Sequence, residues 1–186
     1  MAAERDNLMQ MGELQRRLST AARSVFRLET LPAYSAAGEV DLLRDFHAGR
    51  PLPPRTPEAD PWLRMVADSV QAGTCWSRVH VLHRPLSDYL RFELLGYHGN
   101  VAAGEDVRIA DRATAPEALD ALRQDFWLLD DEFGVLIEYD SEGRRLAMEP
   151  TRDVGSLIAQ RDLAMTHSVP LRDYLPTVQG ELRRSW

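Results

Sequence analysis

Arg78-Val-His-Val-Leu-His83 is followed by Arg84-Pro-Leu-Ser-Asp-Tyr-Leu-Arg-Phe-Glu93 and then by Gly104-Glu-Asp-Val-Arg-Ile109. The first run is β-branched and alternating, the pattern of a strand, and Pro85 closes it. Ser87 is suited to cap a helix from Asp88 to about Tyr97. Gly99 and Asn100 then read as a turn, and Gly104 to Ile109 as a second strand. A strand, a helix and a strand in succession build a sheet covered by helices.

Downstream, Pro116 to Arg123 reads as a short helix and Asp125-Phe-Trp-Leu-Leu129 as a third strand. Gly134 to Tyr139 and Arg144 to Glu149 flank the turn Asp140-Ser-Glu-Gly143, so they read as a hairpin. Val154 to His167 is a helix, and Leu171 to Arg184 is another, interrupted by Pro176. Upstream, Pro61 opens a helix to Ala72, where proline is tolerated in the first turn and Gly73 provides a stop. Pro51, Pro53, Pro54 and Pro57 make Arg50 to Pro61 a stiff connector. Glu39 to His47 is a short helix, and Phe26 to Leu31 is an apolar link or extended segment. Leu8, Met11, Leu14, Leu18 and Ala22 recur at helical spacing, so Glu4 to Val25 reads as an amphipathic helix. The expectation is an α+β fold, a mixed sheet of about five strands covered by helices. Residues 1–25 would form the N-terminal amphipathic helix and 26–186 a single α+β domain.

A chain of 186 residues buries enough surface to fold without a disulfide or metal. The single cysteine, Cys75, excludes an internal disulfide and a cysteine-type zinc site, and reads as a small buried side chain. No apolar run is long enough to span a bilayer, and the charged first residues lack a signal-peptide core, so the expected location is the cytoplasm. The net charge of −7 disfavours direct nucleic-acid binding. All 22 basic residues are arginine. Without lysine there is no Schiff base, no P-loop and no lysine base, and arginine does not release its proton to replace one. No cofactor is expected.

His80 and His83 fall on opposite faces of a strand, which does not build a metal site. The polar residues around the first strand are more distinctive. On the helix after it, Asp88 and Arg91 share a face, as do Tyr89 and Glu93. With Arg78, His80 and Arg84 they form a candidate pocket whose arginines would hold an anionic small molecule, or an ion-pair network that fixes the helix to the sheet. Asp130 and Asp131, with Glu132, follow a strand and read either as a cation site or as a solvated turn. Trp62, Trp76, Trp127 and Trp186 read as core or anchor residues.

Arg78-Val-His-Val81, Pro85-Leu-Ser-Asp-Tyr-Leu-Arg91, Asn100-Val-Ala-Ala-Gly-Glu-Asp-Val-Arg108 and Asp125-Phe-Trp-Leu-Leu-Asp-Asp131 resemble an actinobacterial domain family of unknown function. Its members are often encoded beside helix-turn-helix regulators of the Xre type. The resemblance covers about Phe26 to Pro170 and places the N-terminal helix outside the family core. It implies a regulatory accessory protein by association only. There is also a remote resemblance to phospholipase D-like sheets, whose enzymes require a His-x-Lys motif that a chain without lysine does not contain.

Two functional expectations follow. The first is a non-enzymatic regulatory or interaction module acting with a helix-turn-helix DNA-binding partner. The second is a small-molecule enzyme or sensor of a biosynthetic pathway, with Arg78, Arg84, Asp88, Arg91, Glu93, Asp130 and Asp131 around its pocket.

Overall fold

A computed structural model describes residues 9–182. Helix α1 (Met11–Thr20) precedes strand β1 (Ser24–Glu29), and a 3₁₀ turn at Ala37–Glu39 leads into α2 (Val40–His47). Then come α3 (Pro61–Gln71), β2 (Cys75–Leu82), α4 (Asp88–Ala102), β3 (Asp106–Asp111) and α5 (Pro116–Leu119). Strands β4 (Asp125–Leu129), β5 (Phe133–Tyr139) and β6 (Arg145–Thr151) form a meander. Helix α6 (Gly155–Thr166), the two-residue strand β7 (Val169–Pro170), α7 (Leu171–Tyr174), a 3₁₀ turn and α8 (Gln179–Leu182) complete the described chain.

The strands form one mixed sheet in the order β6-β5-β4-β1-β2-β3-β7. β1, β2 and β3 run parallel, and the remaining pairings are antiparallel. The fold class is the one the sequence predicts, with two more strands. β7 is too short to show a pattern. β1 lies in the region read as an apolar link. Its inward residues Phe26 and Leu28 alternate with Arg27 and Glu29, which by sequence belong on a wet face. In the structure this central strand is covered on both sides, and residues 25–29 are all buried.

One face carries Phe26, Leu28, Val79, Val81, Ala110, Phe126 and Leu128, packed under Leu119 and Leu122 and under Leu157 and Ala164 of α6. The other face is apolar at its two sides. Val25, Trp76, Trp127 and Val135 meet Leu14 and Leu18 of α1 and Leu63 and Val66 of α3. Val107, Ile109 and Leu82 meet Leu90, Leu94 and Tyr97 of α4. Trp62, Trp76 and Trp127 stand 5.8–6.2 Å apart as a three-ring cluster. Trp186 lies outside the described residues.

Several local expectations are corrected. The N-terminal helix is shorter than Glu4–Val25, because the chain enters the sheet at Ser24; Glu4 to Leu8 lie outside the described residues. Cys75 is exposed rather than buried, at the first position of β2. Gly99 and Asn100 do not turn the chain: α4 continues two residues beyond them to Ala102. A Cβ on Gly99 would stand 2.9 Å from the Arg55 carbonyl oxygen and 2.8 Å from Leu63 Cδ1, so the glycine is there for close approach. Arg183 and Arg184, included in the predicted last helix, lie outside the described residues.

The predicted cap at α4 is present, and α3 has one that the sequence reading did not name. Ser87 Oγ accepts from the Leu90 amide at 3.1 Å at the start of α4. At α3 the cap is Asp60, one residue before the predicted proline, accepting from the Trp62 amide at 2.9 Å.

Candidate functional site

Arg27, Glu29, Arg78 and His80 occupy one face of two adjacent parallel strands, with Arg27 in register with Arg78 and Glu29 with His80. Asp125 on β4 reaches the same face. All five are buried, and so are Glu105 and Asn100. Charges removed from water this completely persist only when paired and hydrogen-bonded, and they are.

Arg78 donates from Nη1 to Glu29 Oε2 at 2.7 Å and from Nε to Glu105 Oε1 at 2.9 Å. Asn100 Nδ2, from the last turn of α4, donates to the other Glu105 oxygen at 2.6 Å. Arg27 Nη2 donates to Asp125 Oδ2 at 2.8 Å, and its Nε lies 3.5 Å from Glu29 Oε1. Asp125 also accepts from the Thr30 amide, the Thr30 hydroxyl and the Tyr34 hydroxyl, at 2.7–2.9 Å. Arg27 Nη1 is buried without a hydrogen-bond partner.

The electrostatics follow from these pairings. Burial alone would raise the Glu29 carboxyl, but the Arg78 and Arg27 guanidiniums outweigh it and hold it at about 2. Burial works to lower both arginines, and their carboxylate neighbours overcome that and raise them. His80 is lowered by burial, against the opposing pull of Glu29. Its Nδ1 lies 2.8 Å from the Tyr97 hydroxyl and its Nε2 lies 3.1 Å from the Leu31 carbonyl oxygen.

Beside this network, α4 presents Tyr89 and Glu93. Tyr89 donates to Glu39 Oε2 at 3.0 Å. Glu93 is half-buried, and no hydrogen bond or ion pair holds it among the described residues. Burial, then the nearby Glu29 and Glu39 carboxylates, push Glu93 up to about 8. Burial also raises Glu39.

The structure brings together four of the residues singled out in the sequence: Arg78, His80, Tyr89 and Glu93. Asp88 and Arg91 pair with each other at 2.8 Å on the outer part of α4. Arg84 pairs with Glu181 and lies 3.8 Å from Asp111. Asp130 and Asp131 are at the opposite end of β1, in the turn between β4 and β5, where both adopt positive φ of 55° and 59°. Asp130 there accepts from the amides of Ala22, Arg23 and Ser24 at 2.7–3.0 Å, and Asp131 pairs with Arg161. They tie β1 to the turn, and no group of three or more metal-type ligands occurs among the described residues. His83 is exposed just beyond β2.

Sequence reading missed Arg27, Glu29, Thr30, Tyr34, Tyr97, Asn100, Glu105 and Asp125 as members of the cluster. The one signal available was Arg27 inside the short apolar run Val25 to Leu28, followed at once by the opposite charge of Glu29.

A family model described as "Domain of unknown function (DUF6879)" matches residues 12–176. That span includes α1, so this helix lies within the family's extent rather than outside it. No curated protein matches the chain. Among solved structures, the chain is similar to a phospholipase D family member, Nuc from Salmonella typhimurium, at 7% identity over 86% of this chain and 88% of that one, with a TM-score of 0.46. It is also similar to TrmBL2, an archaeal chromatin protein, at 10% identity over 89% of this chain and 48% of that one, with a TM-score of 0.40. Neither likeness bears on function at these scores. No helix among the described residues is long and apolar enough to cross a membrane.

The chain belongs to the DUF6879 family.

Proposed function

We propose that this DUF6879 protein is a non-enzymatic regulatory module of the cytoplasm that acts through a helix-turn-helix DNA-binding partner. The observation that supports it is the closure of the polar core. Arg27 and Arg78 are each engaged by buried carboxylates, and Glu29 is held ionised between them. A carboxylate with so low a pKa is a poor general base at neutral pH, and no serine, threonine or cysteine stands within hydrogen-bonding distance of His80 among the described residues. Such a network specifies one arrangement of strand and helix, which suits a rigid interaction module. The net charge of −7 suits contact with a basic protein rather than with DNA, and the partner class is the one that the resemblance noted in the sequence implies.

The test is purification of the tagged chain from its native host at moderate salt. The expected result is a helix-turn-helix regulator retained in near-stoichiometric amount. Recovery of the chain without any such regulator would contradict the reading.

A second reading, a small-molecule sensor, is favoured by Glu93, a half-buried carboxyl without a partner among the described residues. The arginines that would hold an anionic ligand are occupied: Arg78 by Glu29 and Glu105, Arg84 by Glu181, and Arg91 by Asp88.

A further inference from the structure

Helices α1 and α3 share one apolar cluster on the sheet, α1 through Leu14 and Leu18 and α3 through Leu63 and Val66. Helix α1 stops at Thr20, where the chain turns into β1. Beside its last turn a groove of about 380 Å³ opens against α3, with Ser19 on the α1 side. The α3 side is Pro61, Arg64, Met65, Asp68, Ser69 and Ala72. These are spaced by three and four residues, so they form one continuous helix face about 16 Å long. A volume of this size falls in the range of small-molecule sites. The groove shares no residue with the polar cluster beneath α4.

Two opposite charges face this groove without meeting. Arg64 and Asp68 are one helical turn apart, a spacing at which such a pair ordinarily closes on itself. Arg64 turns away instead: its Nε donates to the Pro57 carbonyl oxygen at 3.0 Å and its Nη2 to that of Glu58. These carbonyls hold the guanidinium in place without neutralising it, and Nη1 has no partner among the described residues. The neighbouring Glu58 carboxylate is itself engaged by Thr56 and by its own backbone. The Asp68 carboxylate has no hydrogen bond or ion pair among the described residues. Half-buried Met65 supplies apolar surface between the two charges. Ser69 adds a hydroxyl whose oxygen accepts from the Trp76 indole at 2.9 Å.

We propose that the α1–α3 groove binds a small zwitterion, a dipeptide or an ω-amino acid, whose carboxylate is taken by Arg64 and whose ammonium is taken by Asp68. An arginine fixed by carbonyls presents its free edge to a carboxylate, and Pro61 and Met65 cover the apolar body of the ligand. The two residues are displaced by about 6 Å along the helix axis. The charges of an α-amino acid share one carbon and do not span that displacement. The termini of an extended dipeptide stand up to about 7 Å apart, and those of a γ-amino acid are similarly separated. Occupancy is felt in the core, because Ser69 links the groove to Trp76 and so to the three-ring cluster with Trp62 and Trp127. The proposal does not rest on the DNA-binding partner.

The test is a proton–nitrogen NMR titration of the full chain at neutral pH and constant ionic strength. The probes are glycylglycine and γ-aminobutyrate, with glycine, N-acetylglycine and glycinamide as controls. Expected are saturable shifts of the Trp76 indole signal and of the α3 amides with at least one of the first two. Glycine should bind more weakly, and neither N-acetylglycine, with a carboxylate alone, nor glycinamide, with an ammonium alone, should saturate the signals. Arg64→Gln and Asp68→Asn are each expected to weaken binding about fivefold or more, with the melting temperature unchanged because both side chains are exposed. Glu117→Gln, on α5 at the opposite face of the sheet, should leave binding as it is. Tighter binding of glycylglycine assigns the groove to peptides, and tighter binding of γ-aminobutyrate assigns it to ω-amino acids. The proposal is overturned if neither zwitterion shifts the Trp76 indole saturably, if a singly charged control binds as well, or if both variants bind as the parent does.

Discussion

The Tyr97 hydroxyl lies 2.8 Å from His80 Nδ1, and its one proton has two claimants. Glu29 Oε2, ionised, is 2.9 Å away and also accepts. The Leu31 carbonyl opposite His80 Nε2 can only accept, so a neutral ring carries its hydrogen on Nε2 and leaves Nδ1 as an acceptor. Tyr97 can satisfy one of the two. A doubly protonated ring would satisfy every contact, but burial opposes that charge.

His80 is therefore expected to remain neutral with the hydrogen on Nε2, and to titrate below the usual value of about 6.5. Its folded pKa lies below its unfolded one, so the unfolded chain takes up the proton first as pH falls. This contribution to stability is complete above about pH 6.5 and is lost as the pH drops toward the folded value. A nitrogen-detected NMR titration reads the tautomer and the midpoint. An imidazolium at neutral pH would contradict the assignment. Tyr97→Phe removes that single donor, so whichever of Nδ1 and Glu29 it serves loses its bond, and the change is expected to cost about 1–3 kcal/mol.

Arg78→Ala removes the only cation among the described residues that bridges Glu29 and Glu105. Breaking a buried pair from one side costs about 3–5 kcal/mol. Arg78→Lys rescues little, because one ammonium does not reproduce two bonds made from Nε and Nη1 of a planar fork. Arg91→Ala, at the partly exposed Asp88 pair, is expected to change stability by about 1 kcal/mol or less. Urea denaturation of the three variants measures the contrast, and equal losses at positions 78 and 91 would refute it.

The Glu93 carboxyl titrates near 8 in the folded protein and near 4.3, about the usual value, in the unfolded chain. Between those values the folded state holds the extra proton, so this residue's contribution falls as pH rises and levels off above about pH 8. Glu93→Gln abolishes the fall. Its melting temperature should approach that of the parent at pH 4.5 and exceed it increasingly up to about pH 8. A constant difference across that window would show that Glu93 is not raised.

Gly99→Ala places a methyl within 3 Å of the Arg55 backbone and of Leu63. Neither backbone strand nor core leucine yields freely, so a loss of about 1–3 kcal/mol is expected. Hydrogen exchange should speed up in residues 50–60 beyond the rest of the chain, because the contact fastens that segment to α4. Uniform change throughout the molecule would argue that the glycine serves α4 alone.

The sequence was most legible where local patterns and burial agree. β2, β4, the β5–β6 hairpin, the proline start of α3 and the cap at α4 could be read because their alternation, prolines and turn residues act within a few positions. Arg27 and Glu29 could not, because a charged residue on an alternating strand signals solvent, and only the placement of β1 between β4 and β2 makes that face interior. Glu105 and Asn100 were hidden for a related reason: a loop glutamate and a helix-terminal asparagine become network members only when Arg78 reaches them across the sheet. Asp130 and Asp131 left a cation site and a turn both open in the sequence. Adjacent carboxylates after a strand suit a cation, yet their positive φ values make them the turn, and their oxygens hold backbone amides and Arg161.

The regulatory reading is tested most directly by fluorescence anisotropy of an operator duplex titrated with a helix-turn-helix regulator recovered with this protein from its host, with and without this protein. The account predicts that the protein alone leaves the duplex unbound and shifts the regulator's apparent affinity severalfold, saturating at a fixed ratio of protein to regulator. Superimposable titrations with and without it, across low and physiological salt, would contradict the account.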